Sequence, residues 1–144
     1  MTIDIRVHPK FSKRVLRRRV VETSYKALLP HKSGVSVTIY VTTDTEIRAL
    51  NRKYHATDAP TDVLSFPSEP RYGERGYIGD VVISYDRARV QAHDAHWRIA
   101  DEIDLLAVHG ILHLLGEDDL TPRQRAKMWK KQTEILGRPI PEKE

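Results

Sequence analysis

The chain has 144 residues, 40% of them hydrophobic and 31% charged, with a formal net charge of +4, seven histidines and no cysteine. That is the size and balance of one polar globular domain. Without cysteine there is no disulfide framework, thiol nucleophile, iron–sulfur cluster or cysteine-type zinc finger, so any transition-metal site must draw on histidine and carboxylate. The positive charge is a mild hint of a polyanionic partner.

The opening stretch MTIDIRVHPKF has no apolar core of a signal sequence, and no later stretch is apolar enough to span a membrane. No membrane association is expected, and the expected location is cytoplasmic. Thr2–Val7 alternates, with Ile3, Ile5 and Val7 on one side and Asp4 and Arg6 on the other, as in a half-buried strand. From residue 10 to 29 a stripe of Phe11, Val15, Leu16, Val20, Val21, Tyr25 and Leu28 predicts a helix, closed by Pro30. Ser33-Gly34 reads as a turn, and alternation returns in a second strand over residues 35–41. Thr43 or Asp44 caps a short helix running to Lys53.

Residues 58–62 (DAPTD) read as loop, residues 63–66 as a third strand, and residues 71–76 as a mobile loop. The fourth strand, residues 78–84, carries Val81, Val82 and Ile83 in succession, which suggests burial on both faces. Helices follow at 86–96, at 100–115 and from Thr121-Pro122 to Leu136. The middle one is apolar almost all round and belongs at the centre of the protein. The expected fold is α/β (α+β): a single domain over residues 1–144 with a small, mixed, mostly parallel four-stranded sheet and about five helices.

His109 and His113 stand one turn apart on that central helix, on one face. Two readings are open: core histidines that each donate to a carbonyl, or two ligands of one metal ion. Gly116 then permits a sharp turn, and Asp118 and Asp119 follow it. His109, His113 and Asp119 would give three protein ligands and leave a position for water, as in catalytic zinc sites. Gly110 stands where a zinc peptidase of the HExxH type carries its glutamate base, which argues against a peptide hydrolase. The same glycine could open space beside a metal.

The run from His109 to Asp119, HGILHLLGEDD, resembles the YbeY family signature HGxLHLxGxDH. Two further blocks are similar to that family: NRKYHATDAPTDVLSFP, residues 51–67, and IGDVVIS, residues 78–84. The resemblance implies a small α/β fold, one zinc ion, and a single-strand-directed endoribonuclease in small-subunit (16S) rRNA maturation and ribosome quality control. It implies rRNA of the small subunit as partner, with a small-subunit ribosomal protein or an assembly GTPase as a protein partner, and no DNA specificity. His109 and His113 match the first two metal ligands. The family's third ligand is a histidine, and here Asp119 stands in its place, a competent zinc ligand that also suits harder ions such as Mn²⁺. Asp118 matches the family aspartate before that ligand and either orients a ligand or is a solvated turn residue.

The family has an arginine after the tyrosine of the first block, and here the residue is His55. It is the catalytic candidate, as phosphate contact or as acid or base, against an exposed loop histidine. Lys53 is a candidate phosphate contact. Ser65 either lines the same cleft or is a strand hydroxyl bonded to backbone. Six of the ten residues from 10 to 19 are basic, and Arg123, Arg125, Lys127, Lys130 and Lys131 form a second set; both are candidate phosphate contacts. No RNP-like aromatic motif is visible, so sequence-specific base stacking is not expected. The competing reading is a metal-binding ribosome-assembly factor that binds rRNA or a small-subunit protein without cutting.

Overall fold

A computed structural model describes residues 2–30, 34–59, 61–68 and 76–142. The proposed Ser33 turn, Pro60 of the DAPTD loop and all but Gly76 of the 71–76 loop lie outside the described residues. The strands are β1 (Thr2–Val7), β2 (Ser36–Thr42), β3 (Val63–Pro67) and β4 (Tyr77–Ser84). The helices are α1 (Arg17–Leu28), α2 (Asp44–His55), α3 (Tyr85–Ala95), α4 (Ile99–Leu114) and α5 (Pro122–Leu136).

The sheet order is β1-β2-β4-β3. β1 pairs with β2 and β2 with β4 in parallel, and β3 lies antiparallel on β4 at the edge. The expected mixed, mostly parallel sheet is therefore present. Val81 and Ile83 face the main core with Ile39, Ile111 and Leu106, while Val82 faces the opposite way onto Ile47 and Leu64. Strand β4 is buried on both faces because it is an interior strand with helices on either side.

Helix α4 explains its own sequence. Ile103, Leu106, Ala107 and Ile111 pack on the sheet side, and Leu105, Val108 and Leu112 pack against Met128 and Leu136 of α5. A helix sandwiched between a sheet and another helix needs apolar residues all round. Each large side chain so buried contributes roughly 1.5–3 kcal/mol.

One predicted boundary is wrong. The stripe from residue 10 does not form one helix: Pro9–Phe11 is a 3₁₀ turn in which the Lys10 amide donates to His8 Nδ1 at 3.1 Å, and α1 begins only at Arg17. Phe11 and Val15 are buried all the same. Spacing of apolar residues marks which side chains reach the core, and a turn followed by a helix satisfies it as well as a continuous helix does. At the other end of the β2–α2 unit, the helix runs two residues past Lys53, and His55 is its last residue rather than part of a loop.

Candidate metal centre

Three devices bring the site together. Helix α4 holds His109 and His113 on one face. Gly116, at φ 97°, turns the chain back while the Glu117 amide donates to the Leu112 carbonyl at 2.9 Å. A capping box then starts α5 directly after the turn: the Gln124 amide donates to Thr121 Oγ1 at 3.1 Å, and the Thr121 amide donates to Gln124 Oε1 at 3.0 Å. The turn returns Asp119 to the histidines, and α5 lays Gln132 beside them.

The two Nε2 atoms lie 3.1 Å apart, and Asp119 Oδ2 lies 3.6 Å from His109 Nε2 and 3.5 Å from His113 Nε2. The other ring nitrogens are committed. His109 Nδ1 donates to Gln132 Oε1 at 2.7 Å, and His113 Nδ1 donates to the Glu117 carbonyl at 2.9 Å. An amide oxygen and a carbonyl oxygen can only accept, so both neutral rings carry their proton on Nδ1. Both Nε2 lone pairs then face one another and the carboxylate. Such an arrangement is repulsive by itself and becomes favourable around a cation.

The two Asp119 separations match ligand spacing, and the 3.1 Å between the Nε2 atoms is slightly shorter than it. Ligand bonds of 2.0–2.2 Å in tetrahedral geometry require ligand atoms roughly 3.3–3.6 Å apart. His109, His113 and Asp119 are the group among the described residues whose donor atoms all lie within 4.8 Å of one another. Burial lowers the His109 pKa, against the Gln132 hydrogen bond and the charge of Asp119, and so favours the neutral ring that a metal needs. The three residues are accessible: their side chains are 27%, 27% and 39% exposed, and His109 and Asp119 open onto a cleft of about 260 Å³.

Gly110 serves packing, not space for a substrate. A Cβ there would lie 2.4 Å from Val81 Cγ1 and 3.2 Å from Ser65 Oγ. Its carbonyl accepts a hydrogen bond from Ser65 Oγ at 2.9 Å, so Ser65 fastens β3 to α4 one residue from His109. Asp118 is exposed and makes no hydrogen bond to either histidine; Gln132 and the Glu117 carbonyl do the orienting that the sequence suggested for it. His55 stacks on Phe66 with ring centres 5.4 Å apart, and Lys53 Nζ lies over the Tyr54 ring at 5.1 Å. Phe66 belongs to the α2 side of the sheet. His55 and Lys53 thus cluster at the end of α2, and none of their contacts joins them to the histidine–aspartate group.

Two residues of the cleft carried no signal of their own. Asp62, just before β3, lines it with His109 and Asp119, and its charge acts to raise the His109 pKa. Gln132 stands 23 residues from the histidine it orients. Asp62 lies within the PTDVLSFP block, but nothing in its local spacing distinguishes it from a turn residue.

Fold and cluster define a class: a small α/β domain with a three-residue, metal-competent centre at the mouth of a cleft. A family profile described as Endoribonuclease YbeY matches residues 4–139. A protein named Endoribonuclease YbeY from Aquifex aeolicus is 43% identical over 115 residues, covering 78% of this chain and 77% of that one. One of the same name from Acholeplasma laidlawii is 40% identical over 119 residues, covering 83% of each. The solution structure of a Thermotoga maritima protein superposes with a TM-score of 0.66 at 27% identity, covering 93% of this chain and 86% of that one. The chain belongs to the YbeY family.

Proposed function

We propose that this protein is a metal-dependent endoribonuclease that cuts single-stranded RNA, acts in maturation of the small-subunit 16S rRNA, and serves ribosome quality control in the cytoplasm. The observation that carries the reading is the opposed pair of Nε2 atoms closed by Asp119 at ligand spacing, in a chain whose family bears the name of an endoribonuclease.

His109, His113 and Asp119 would hold one divalent ion, zinc by the ligand set, which supplies Lewis acidity toward a phosphoryl oxygen. Asp119 in place of a third histidine makes the site less positive and more hospitable to harder ions such as Mn²⁺. Gln132 and the Glu117 carbonyl hold the Nδ1 protons, which keeps the Nε2 lone pairs turned to the site. Ser65 acts through the Gly110 carbonyl, fixing the helix that carries both histidines. His55 and Lys53, both exposed, take the phosphates of RNA approaching along the end of α2, and Asp118 adds a solvated charge at the turn.

Each basic stretch is partly neutralised within the chain. Arg19 is held by Asp101 and Asp104, and Lys127 and Lys131 by Glu117. Arg123, Arg125 and Lys130 are the exposed cations of α5 without such pairing among the described residues.

The test is metal content of the purified protein followed by cleavage of unstructured and duplex RNA, with His113→Ala as control. Cleavage of the unstructured RNA, lost in the alanine variant, is the expected result. Cleavage that persists unchanged in His113→Ala would sink the metal-enzyme reading. Metal binding without cleavage of any RNA would move the protein to the assembly-factor class.

A further inference from the structure

The cleft beside the metal centre has an aromatic wall that neither the metal nor the fold requires. Trp129 lines it together with His109, Asp119 and Arg125. Trp129 is 45% exposed, while its neighbour Met128 is 2% exposed and fills the core between α4 and α5. The chain's other tryptophan is fully employed: Trp97 Nε1 donates to Glu102 Oε1 at 2.9 Å, and the Arg138 guanidinium lies 6.0 Å over its ring. No ring or cation contact engages the Trp129 indole among the described residues. Exposure of a single apolar residue is ordinary, and what distinguishes Trp129 is its place on the wall of the cleft that His109 and Asp119 share.

Arg125 stands one turn before Trp129 on α5, on the same side. Its guanidinium donates to the carbonyls of Asp119 and Leu120 at 3.3 Å each, and no carboxylate among the described residues neutralises it. The wall of the cleft therefore offers a flat aromatic face and an uncompensated cation, next to a phosphate-seeking centre. At about 260 Å³ the cleft is slightly smaller than the roughly 300–1,000 Å³ in which whole small ligands are engulfed. An open cleft of that size takes one unit of a longer chain.

We infer that Trp129 and Arg125 form a binding subsite for one unpaired nucleotide of an RNA strand, the indole stacking on the base and the guanidinium meeting its phosphate. The inference rests on RNA being the substrate and names the feature of RNA that the site reads. Stacking of this kind accepts any base, because every base has a π-face. Such a subsite would favour single strands, since in a duplex both faces of each base are covered by its neighbours.

The experiment uses the full-length protein in EDTA, so that binding is read without cleavage. A short, unstructured oligouridylate is titrated against tryptophan emission. The wild type should show quenching that disappears in Trp129→Phe, where Trp97 is the remaining indole. Affinity, followed by anisotropy of a labelled strand, should fall roughly 5- to 100-fold in Trp129→Ala and be largely kept in Trp129→Phe. An abasic strand of the same length should bind wild type and Trp129→Ala alike. Arg125→Ala should weaken both strands and lower the slope of log affinity against log salt by about 1.

Equal affinity of wild type and Trp129→Ala for the oligouridylate overturns the subsite, and so does an abasic strand that discriminates between them as strongly. With metal restored, cleavage separates this inference from the reading beneath it. Cleavage that continues alongside equal affinities removes the subsite and leaves the nuclease. Trp129-dependent binding without cleavage keeps the subsite and removes the nuclease.

Discussion

At the start of α4, Asp101 and Asp104 meet Arg19 and Arg138; at its end, His109 and His113 meet Asp119. Both clusters set polar groups into a helix that is otherwise core. In the first, two carboxylates face two guanidiniums, and Asp104, with its side chain 2% exposed, receives Arg19 Nε at 2.6 Å. Charge is matched within the chain, across 85 residues of sequence. In the second, orienting hydrogen bonds turn two lone pairs toward each other and a carboxylate beside them, which is a surplus of acceptors. The first balances its own charge and ties α1 to α4, although Asp104 Oδ1 and Arg138 Nε are buried without a hydrogen-bond partner among the described residues. The other leaves a surplus of acceptors that a cation could satisfy, and that surplus is what makes it the candidate metal site.

The largest effect should come from removing a histidine. His109→Ala or His113→Ala should weaken divalent-metal binding by more than about 100-fold, beyond the 10–100-fold typical of orienting residues. Calorimetric titration with zinc measures it. The metal-free variants should melt no lower than wild type, because the opposed acceptors are gone; a markedly lower melting temperature would mean that the histidines hold the fold and would erase the contrast.

Asp104→Ala should do the opposite. It should leave zinc affinity near the wild-type value and destabilise the protein toward the lower end of the roughly 3–5 kcal/mol seen when a buried pair loses one partner, since Arg19 remains partly exposed and keeps Asp101. Metal titration reads the first quantity and urea denaturation the second. A variant that loses metal affinity without losing stability would exchange the roles of the two ends.

The comparison also shows what a sequence can reveal. The histidine–aspartate cluster was readable because it is local: a one-turn histidine spacing, a glycine and an aspartate three residues after it lie within a single run. The matched end was not, because Arg19 and Asp104 are joined only by the packing of α1 on α4. The same holds for Gln132 and Asp62 within the cleft. The strands were legible from alternation and from the three consecutive apolar residues of β4. The start of α1 was not, because a 3₁₀ turn delivers Phe11 and Val15 to the core as a helix would. Trp129 could be seen in the sequence, but only the fold of α5 places it beside His109.

A smaller effect sharpens the difference at the histidine end. Gln132→Leu keeps the approximate volume of a buried side chain and removes the acceptor of the His109 Nδ1 proton. Zinc affinity should fall by about ten-fold, the lower part of the range for orienting residues, because His113 keeps its own bond to the Glu117 carbonyl. Nitrogen shifts of the imidazole rings should show the His109 tautomer becoming mixed while that of His113 stays fixed. Undiminished affinity with an unchanged His109 tautomer would show that helix packing alone orients the ring.

The smallest effect is on pH dependence, and it belongs to the matched end. Burial pushes the Asp101 carboxyl up, but the Arg19 hydrogen bond, the Arg98 amide and the charges of Arg138 and Arg19 carry it below its ordinary value. Burial pushes Asp104 up, and Arg19 and Arg138 only partly offset this. The two residues therefore tilt stability in opposite directions. Asp101 binds its proton less readily in the folded chain, so its contribution is present above the unfolded carboxylate value of about 3.9 and is lost as pH falls through the lower, folded value. Asp104 binds its proton more readily when folded, so its contribution is present below about 3.9 and is lost as pH rises through the raised value. Asp101→Asn removes the first slope. The difference in urea midpoint between wild type and this variant should grow as pH rises through the acid range and level off above the unfolded carboxylate value. The same curve should result with zinc or with EDTA, since the pair lies at the end of α4 away from the histidines. A flat difference curve would show that Arg19 neutralises Asp101 equally in the folded and unfolded chain, and one that changes with zinc would show that the two ends of the helix are coupled.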